Sequence, residues 1–268
     1  MQDPTIQARF SAAAATYDSH SEIQSCVIDS VVDLLRDIPT PERLIEVGCG
    51  TGRLTQRVGE RFPNASITAL DLSGAMIDRA KRNLSGAAKN HGSTVEFVTS
   101  DICEYRPDGV FPLLLSSSSL HWIVPFERAI DTVDRLVMPG GHMVIAIMLR
   151  DTLSELYESR MRIAKQKPPE HRLPELAEFV ELANRQGWVI QNSFDRHYVS
   201  RYGSVEELLA SLRQQGLTGG SVSRSHTPLT RGELQRLRAD YTAHYQDDRG
   251  LIPATYYVGF LHAIKPEC

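Results

Sequence analysis

Apolar residues recur along this chain in two alternating rhythms. Val27, Ile28, Val31, Val32, Leu35 and Ile38 fall at helical spacing, and Pro39 and Pro41 end that helix. Leu44–Val47 is a short apolar strand, followed by Gly48, Gly50 and Gly52 at alternate positions. A helical pattern then begins, with Leu54 and Val58 opposite Arg53, Gln56 and Arg57. Strand Ser66–Leu70 leads to a helix capped by Ser73, its apolar face Met76, Ile77, Ala80 and Leu84 and its solvated face Arg79, Lys81 and Arg82. After a turn at Gly92 come strand Thr94–Thr99 and strand Val110–Ser117. Phe126, Ile130, Val133 and Val137 mark the next helix, which stops at a turn, Met138-Pro139-Gly140-Gly141, before strand His142–Met148. Strands alternating with helices predict an α/β fold, a mostly parallel sheet with helices on both faces.

The two ends differ from this core. Gln2–Tyr17 is Ala-rich and reads as a helix, with a break at Asp18–Ser21. Beyond Arg150, Thr152-x-x-Glu155, Ser204-x-x-Glu207 and Thr230-x-x-Glu233 read as capping boxes that open three helices. The first carries Arg160, Arg162, Lys165 and Lys167 and stops at Pro168-Pro169. The second has Val205, Leu208, Leu209 and Leu212 on one face, and the third has Leu234, Leu237 and Tyr241. Gly187–Tyr202 reads as a strand, Gly216–Pro228 as a loop, and Thr255–Ile264 as a strand returning to the sheet, which brings the strand count to seven. The expected organisation is one domain over 1–268. It comprises a helical lid at 1–40, a core at 41–150, cover insertions at 151–254 and the returning strand at 255–268.

Bulk properties narrow the functional classes. At 268 residues the length suits one α/β domain with an insertion. A net charge of −4 argues against a general nucleic-acid binder, which is usually basic. No apolar run reaches the roughly 20 residues needed to cross a bilayer, and Met-Gln-Asp-Pro does not open a secretory signal. Cys26, Cys49, Cys103 and Cys268 lack C-x-x-C spacing, so reduced thiols and a cytoplasmic location are expected. The nine histidines form no H-E-x-x-H or comparable spacing, so no metal is expected.

The glycines carry the first chemical signal. Strand, glycine turn, helix opens a nucleotide-binding unit, because glycine lets the backbone approach a ligand that a Cβ would hold off. The dinucleotide fingerprint is G-x-G-x-x-G, whereas this turn is G-x-G-x-G with Glu46 two residues upstream. That acid would face positive charge rather than a pyrophosphate. Asp71 ends the next strand, about 20 residues on, where an acid can hydrogen-bond ribose hydroxyls; in NAD enzymes it does the same. Ser100-Asp101-Ile102 follows the third strand and suits a pocket that hydrogen-bonds an adenine amino group and packs on its ring. The pattern resembles the S-adenosylmethionine (SAM) motif of class I methyltransferases, whose fold is Rossmann-like. That resemblance implies a cofactor site of Tyr17, Glu46, Gly48, Gly50, Gly52, Asp71, Leu72, Met76, Asp101, Ile102 and Ser117.

The fourth strand runs into Ser-Ser-Leu-His-Trp at the sheet edge where a methyl acceptor would meet SAM. No [DNS]-P-P-[YFW] tetrapeptide is present, which argues against base or glutamine N-methylation, and no carboxylate cluster would hold Mg²⁺ for catechol-like chemistry. His121 is either a general base or a polar residue capping the strand end, and a positioning role is expected of it. Tyr17 is either a half-buried boundary aromatic or a lid over the cofactor.

Several stretches together resemble the malonyl-[acyl-carrier-protein] O-methyltransferases of biotin synthesis. They are Arg9-Phe10 with Ala14–Asp18, Glu46–Gly52, Leu120-His121-Trp122, Glu207–Gly216, Leu229–Leu234 and Thr255–Val258; Asp151–Arg201 matches loosely. Ser116–Ser119 stands where that family commonly has Asn, and His121 where it commonly has Gln. The resemblance implies methylation of the carboxylate of a malonyl thioester on acyl carrier protein, with no nucleic-acid or membrane partner. Such a carboxylate is ionised near pH 7 and is itself the nucleophile, so no strong base is required. Selecting it asks for a cation, with Arg201 and Arg150 as candidates and Tyr17, His121 and Arg201 as the catalytic set. A basic patch from Arg160–Arg172, or from Arg224, Arg231 and Arg236, would dock an acidic carrier. The alternatives are an O-methyltransferase of another small acid or hydroxyl, an NAD(P)-linked dehydrogenase, and a non-catalytic SAM-binding module.

Overall fold

The computed structural model describes residues 4–87, 93–168, 172–218 and 227–267. Gly92, Pro169 and Arg224, each given a role above, lie outside these residues. The sheet is built from β1 (Arg43–Val47), β2 (Ser66–Asp71), β3 (Thr94–Thr99), β4 (Phe111–Ser117), β5 (Val137–Met148), β6 (Val189–Tyr202) and β7 (Ile252–Ile264). Its order is β3-β2-β1-β4-β5-β7-β6. The first five strands pair in parallel, whereas β7 is antiparallel to both β5 and β6. The fold is therefore α/β, Rossmann-like and seven-stranded, with the order reversing between β1 and β4.

Neighbouring residues on each central strand serve opposite layers. Leu44, Leu113, Val144 and Phe260 pack with α2 (Glu22–Leu34), α3 (Arg53–Arg61), α8 (Val205–Gln214) and α9 (Arg231–Tyr245). Ile45, Leu114, Ile145 and Leu261 pack with α5 (Phe126–Leu136) and α7 (Leu176–Arg185). Strands covered on both faces are why the sequence reads as unbroken apolar runs there. Helix α4 (Gly74–Ala87) packs along β2 and β3, α1 (Pro4–Ala13) lies against α4, and α6 (Ser154–Ile163) lies against α9 and β7.

Four local expectations change. The N-terminal helix stops at Ala13, and Tyr17–His20 forms a separate 3₁₀ turn. The expected turn at Met138–Gly141 is instead a bulge inside β5, because Val137 pairs with Phe111 and His142 already pairs with Leu113. Thr152 and Glu155 do not cap α6, which begins at Ser154 and ends at Ile163, short of Pro168. The Thr152 hydroxyl donates to the Tyr257 carbonyl at 2.9 Å and accepts its N–H at 3.1 Å, while Glu155 accepts the Thr255 N–H and hydroxyl. Those two residues stitch α6 to β7. Helix α7 escapes the sequence pattern because its capping box uses Glu175 in place of the usual Ser or Thr, with Glu178 at the third helical position.

The other two capping residues act as expected at their helix ends. Ser204 accepts the Glu207 N–H at 3.2 Å, and Thr230 exchanges bonds with Glu233 as a full box. Helix α9 puts Leu237 and Tyr241 into the core, and the Tyr241 hydroxyl donates to the Pro253 carbonyl at 2.7 Å. Thr230→Ala should therefore lower unfolding stability by about 1 kcal/mol through the lost cap. It should appear as a lower urea midpoint at unchanged slope; an unaltered midpoint would show that the cap contributes nothing.

Candidate active site

The carboxyl ends of β1 and β4 diverge at the reversal of strand order, and the glycine turn fills the gap. The N–H groups of Gly48 and Cys49 both donate to the Leu70 carbonyl, at 2.7 and 3.0 Å. Gly48 has φ +73°, and a Cβ there would lie 2.1 Å from the Ser119 Oγ. At Gly50, φ is +53° and a Cβ would point into open space, on the wall of a crevice. Any side chain at that position would occupy the crevice itself.

Asp71 joins the turn to the end of β2. Its carboxylate accepts the Gly50 N–H at 2.9 Å and the Ser73 N–H at 2.8 Å. Burial raises its pKa, and these two bonds oppose the shift. Glu46 lies beneath the turn, 1% exposed, accepting the Thr55 hydroxyl at 2.6 Å. Burial pushes Glu46 up to about 7. Burial first, then Glu46 and Asp71, raise the Cys49 thiol; burial, then Asp71 and Asp18, raise the Tyr17 hydroxyl well above its usual range. Asp71, joined by Glu46 as pH rises through about 7, gives the crevice a negative field, which favours a cation and opposes a pyrophosphate.

The N-terminal segment covers the crevice. Asp18 accepts the Thr51 hydroxyl at 2.6 Å and an Asn83 amide N–H at 3.3 Å, and lies 3.6 Å from Arg79. Gln7 donates to the Leu72 carbonyl, and the Ser11 and Ser73 hydroxyls share a hydrogen bond. Under this cover the crevice is narrow, about 80 Å³. A second cavity of about 700 Å³ adjoins it beneath α6. Phe10, Tyr17, Ser118 and Trp122 line both, so they form the seam.

The sequence-predicted residues divide among these places. Tyr17, Gly48, Gly50, Asp71, Leu72, Met76, Ile102 and Ser117 line the narrow crevice. Glu46, Gly52 and Asp101 stand behind it; Gly52 abuts Ala80 and Leu84 of α4, and Asp101 accepts the Cys103 N–H at 2.9 Å. His121 lines the large cavity and is 3% exposed. Its Nδ1 accepts the Met148 N–H at 3.4 Å, which leaves the proton on Nε2, and burial lowers its pKa to about 3. A ring this reluctant to take a proton is a poor general base.

Arg201 does not reach either cavity. It sits on edge strand β6, its side chain 54% exposed, 3.9 Å from Asp247. The reason is strand parity: Tyr198 and Tyr202 turn toward the core, so Arg201 turns to the other face. Arg150 does line the large cavity, paired with Glu175 and Glu178. Arg160 and Arg172 line it too, and neither was singled out for that role above. Leu153, Leu156, Tyr157 and Arg160 follow i, i+3, i+4, i+7 spacing, a helical face that the sequence does carry. Burial lowers the pKa of Arg160, whose Nε donates to the Lys167 carbonyl at 2.9 Å. Phe10 packs edge-on against Trp122, ring centroids 5.7 Å apart, an aromatic pair that sequence distance concealed. Among the described residues, no group of three His, Cys, Asp or Glu is placed to hold a metal ion.

Comparison with known proteins agrees with this architecture. Residues 45–143 match the family described as a methyltransferase domain. A malonyl-[acyl-carrier protein] O-methyltransferase of Geobacter sulfurreducens is 29% identical, covering 94% of this chain and 95% of its own. A second protein of that name, numbered 2 in Ilyobacter polytropus, is 26% identical over 90% of each chain. Among solved structures, the N-methyltransferase NodS from Bradyrhizobium japonicum WM9, in complex with S-adenosyl-L-homocysteine, superposes with a TM-score of 0.58. It shares 14% identity over 99% of this chain and all of its own, a likeness of fold.

His121 generates a pH signature. Its folded pKa is depressed below the usual 6.5, so its contribution to stability is complete above about pH 6.5 and is lost as pH falls toward 3. Wild type should therefore lose stability between pH 6.5 and 4 more steeply than His121→Gln, by up to about 1.4 kcal/mol per pH unit. Parallel urea titrations across that range check this; identical slopes would mean that His121 titrates normally.

Proposed function

We propose that this chain transfers the methyl group of SAM to the free carboxylate of a malonyl thioester carried by acyl carrier protein. The observation that carries the reading is that an acidic crevice and a cavity holding three arginines meet at one seam. Asp71, with Glu46 beneath it, makes one side acidic; Arg150, Arg160 and Arg172 stand on the wall of the other beside Asp151 and Glu158, Arg150 and Arg172 pairing with Glu175 and Glu178. The names of the relatives over nine-tenths of the chain support the same substrate.

The residues present fit SAM. Bound there, it supplies an electrophilic methyl on a positively charged sulfur. Gly50 leaves room where a side chain would intrude, and each Asp71 oxygen keeps lone-pair capacity for ribose hydroxyls after its backbone bond. Ile102 and Met76 offer apolar contact for a base, and the acidic field suits a sulfonium and an ammonium. The N-terminal cover lies over the place SAM would take. Its ties to Asn83 and Arg79 lie at the surface and exchange readily with water, whereas its bond to the buried Thr51 is partly shielded.

Tyr17 and His121 decide between acceptor classes. The Tyr17 hydroxyl stays protonated and His121 stays neutral near pH 7, so neither suits removal of a proton from an alcohol. An acceptor already ionised needs no such step. A carboxylate oxygen forms the bond to the methyl carbon, the carbon–sulfur bond breaks, and its electron pair remains on sulfur; no proton moves. The chain's task is alignment and exclusion of water, which supplies several kcal/mol of barrier reduction. The ester that results lacks the charge, so the acyl chain passes as an ordinary apolar one to later elongation in biotin synthesis. Arg231 and Arg236 on the exposed side of α9 offer the acidic carrier a docking surface.

Labelled SAM with malonyl-carrier thioester tests the reading, with malonyl-CoA and free malonate as comparators. The carrier thioester should gain label fastest, and a chain that labels none of the three would defeat the proposal. Among Arg150→Gln, Arg160→Gln and Arg172→Gln, at least one should raise KM for the thioester by about 10-fold or more, the worth of a charged hydrogen bond. Arg201→Gln should leave it unchanged. Unaltered KM in all three cavity variants would place carboxylate selection elsewhere.

A further inference from the structure

The four serines that close β4 occupy four different environments. Ser116 Oγ donates to the Val47 carbonyl at 3.0 Å and ties β4 to β1. Ser117 lines the narrow crevice. Ser119 Oγ fills the space that a Cβ on Gly48 would take. Ser118 has no such structural task for its side chain. Its backbone N–H donates to the Ala146 carbonyl at 2.8 Å, and φ is +57°, a left-handed conformation that a serine adopts only at a cost. Its hydroxyl oxygen is buried and finds no hydrogen-bond partner among the described residues.

Strain and an unmet hydroxyl therefore coincide at one of the four residues that line both cavities. Each is unfavourable to folding, and glycine would relieve both. Such a combination marks a residue kept for what it contacts rather than for what it stabilises. Of the other seam residues, Phe10 offers only a ring, while Trp122 has an indole N–H and Tyr17 a protonated hydroxyl. Ser118 adds a small donor at the strand end itself.

We propose that Ser118 is an acceptor-binding residue, its hydroxyl donating a hydrogen bond to the carboxylate oxygen that does not attack. The left-handed turn places Ser118 at the seam; rotation about its Cα–Cβ bond turns the enclosed hydroxyl to the acceptor, and the bond holds the attacking oxygen in line with the methyl carbon. This rests on the proposed methylation of a carboxylate. It adds a residue that neither the glycine motif nor the arginine wall supplies.

Three variants separate the hydroxyl from the backbone. Ser118→Gly relieves the left-handed strain and removes the hydroxyl; Ser118→Ala removes only the hydroxyl; Ser118→Asn tolerates the conformation and restores a donor. Thermal unfolding should show Ser118→Gly as stable as wild type or more so, and SAM affinity by calorimetry should stay within about twofold in all three. Turnover of malonyl thioester should fall about 10- to 100-fold in Ser118→Gly and Ser118→Ala, the range expected for a bond to a charged group, and recover in part in Ser118→Asn. Calorimetric affinity for malonyl-pantetheine should fall in the same order as turnover. Wild-type turnover in Ser118→Gly would overturn the assignment, and so would an equal loss of SAM affinity, which would move the serine to the cofactor side. A wild-type chain that methylates no malonyl thioester would bring down the functional reading itself, and this assignment with it.

Discussion

A half-buried carboxylate on the crevice wall holds the two halves of the crevice together. Asp71 ends β2, yet its oxygens reach the N–H of Gly50 in the turn after β1 and the N–H of Ser73 at the start of α4. Without those bonds both donors would lose their partner, and the Ser73 N–H would lie buried and unpaired, at about 1–3 kcal/mol. The carboxylate suffers burial so that the two loops share one geometry. The same residue sets the field: an acid in this position, with Glu46 beneath it, makes the crevice hospitable to a cation before any ligand arrives.

The sequence shows this part of the molecule most clearly, and for a physical reason. Strands β1, β2, β4 and the second half of β5 have both faces covered, so their apolar runs are nearly unbroken, and the glycine turn is local in sequence. Local patterns survive in one dimension. What escaped was set by distant packing. Thr152 and Glu155 have the spacing of a capping box, but their hydrogen bonds go to Tyr257 and Thr255, about a hundred residues away. Phe10 meets Trp122 across a similar distance in the chain.

Arg201 and Arg160 make the same point in opposite directions. Both are arginines in the cover, and type alone does not rank them. Parity along β6 does: Tyr198 and Tyr202 are the inward residues, which sends Arg201 outward to Asp247. Periodicity along α6 ranks Arg160, because Leu153, Leu156 and Tyr157 share its face. Both rules were available from the letters. Applying them required knowing which face of each element was covered, and that is a property of the fold.

The proposed reaction explains why the seam itself is uncharged. A sulfonium and a carboxylate are both ionic, and methyl transfer converts them into a thioether and an ester, both neutral. Charge disappears along the path, so a medium of low polarity disfavours the reactants more than the transition state. Acid on one flank and arginine on the other bring the ions to the site despite that cost. If those charges stood at the point of transfer they would hold the ions in place and raise the barrier. Phe10 and Trp122 keep the meeting point apolar, while burial keeps Tyr17 protonated and His121 neutral. Charge at the flanks gathers the reactants, and its exclusion from the seam lets them annihilate; the same arrangement would give no such advantage to a neutral hydroxyl acceptor.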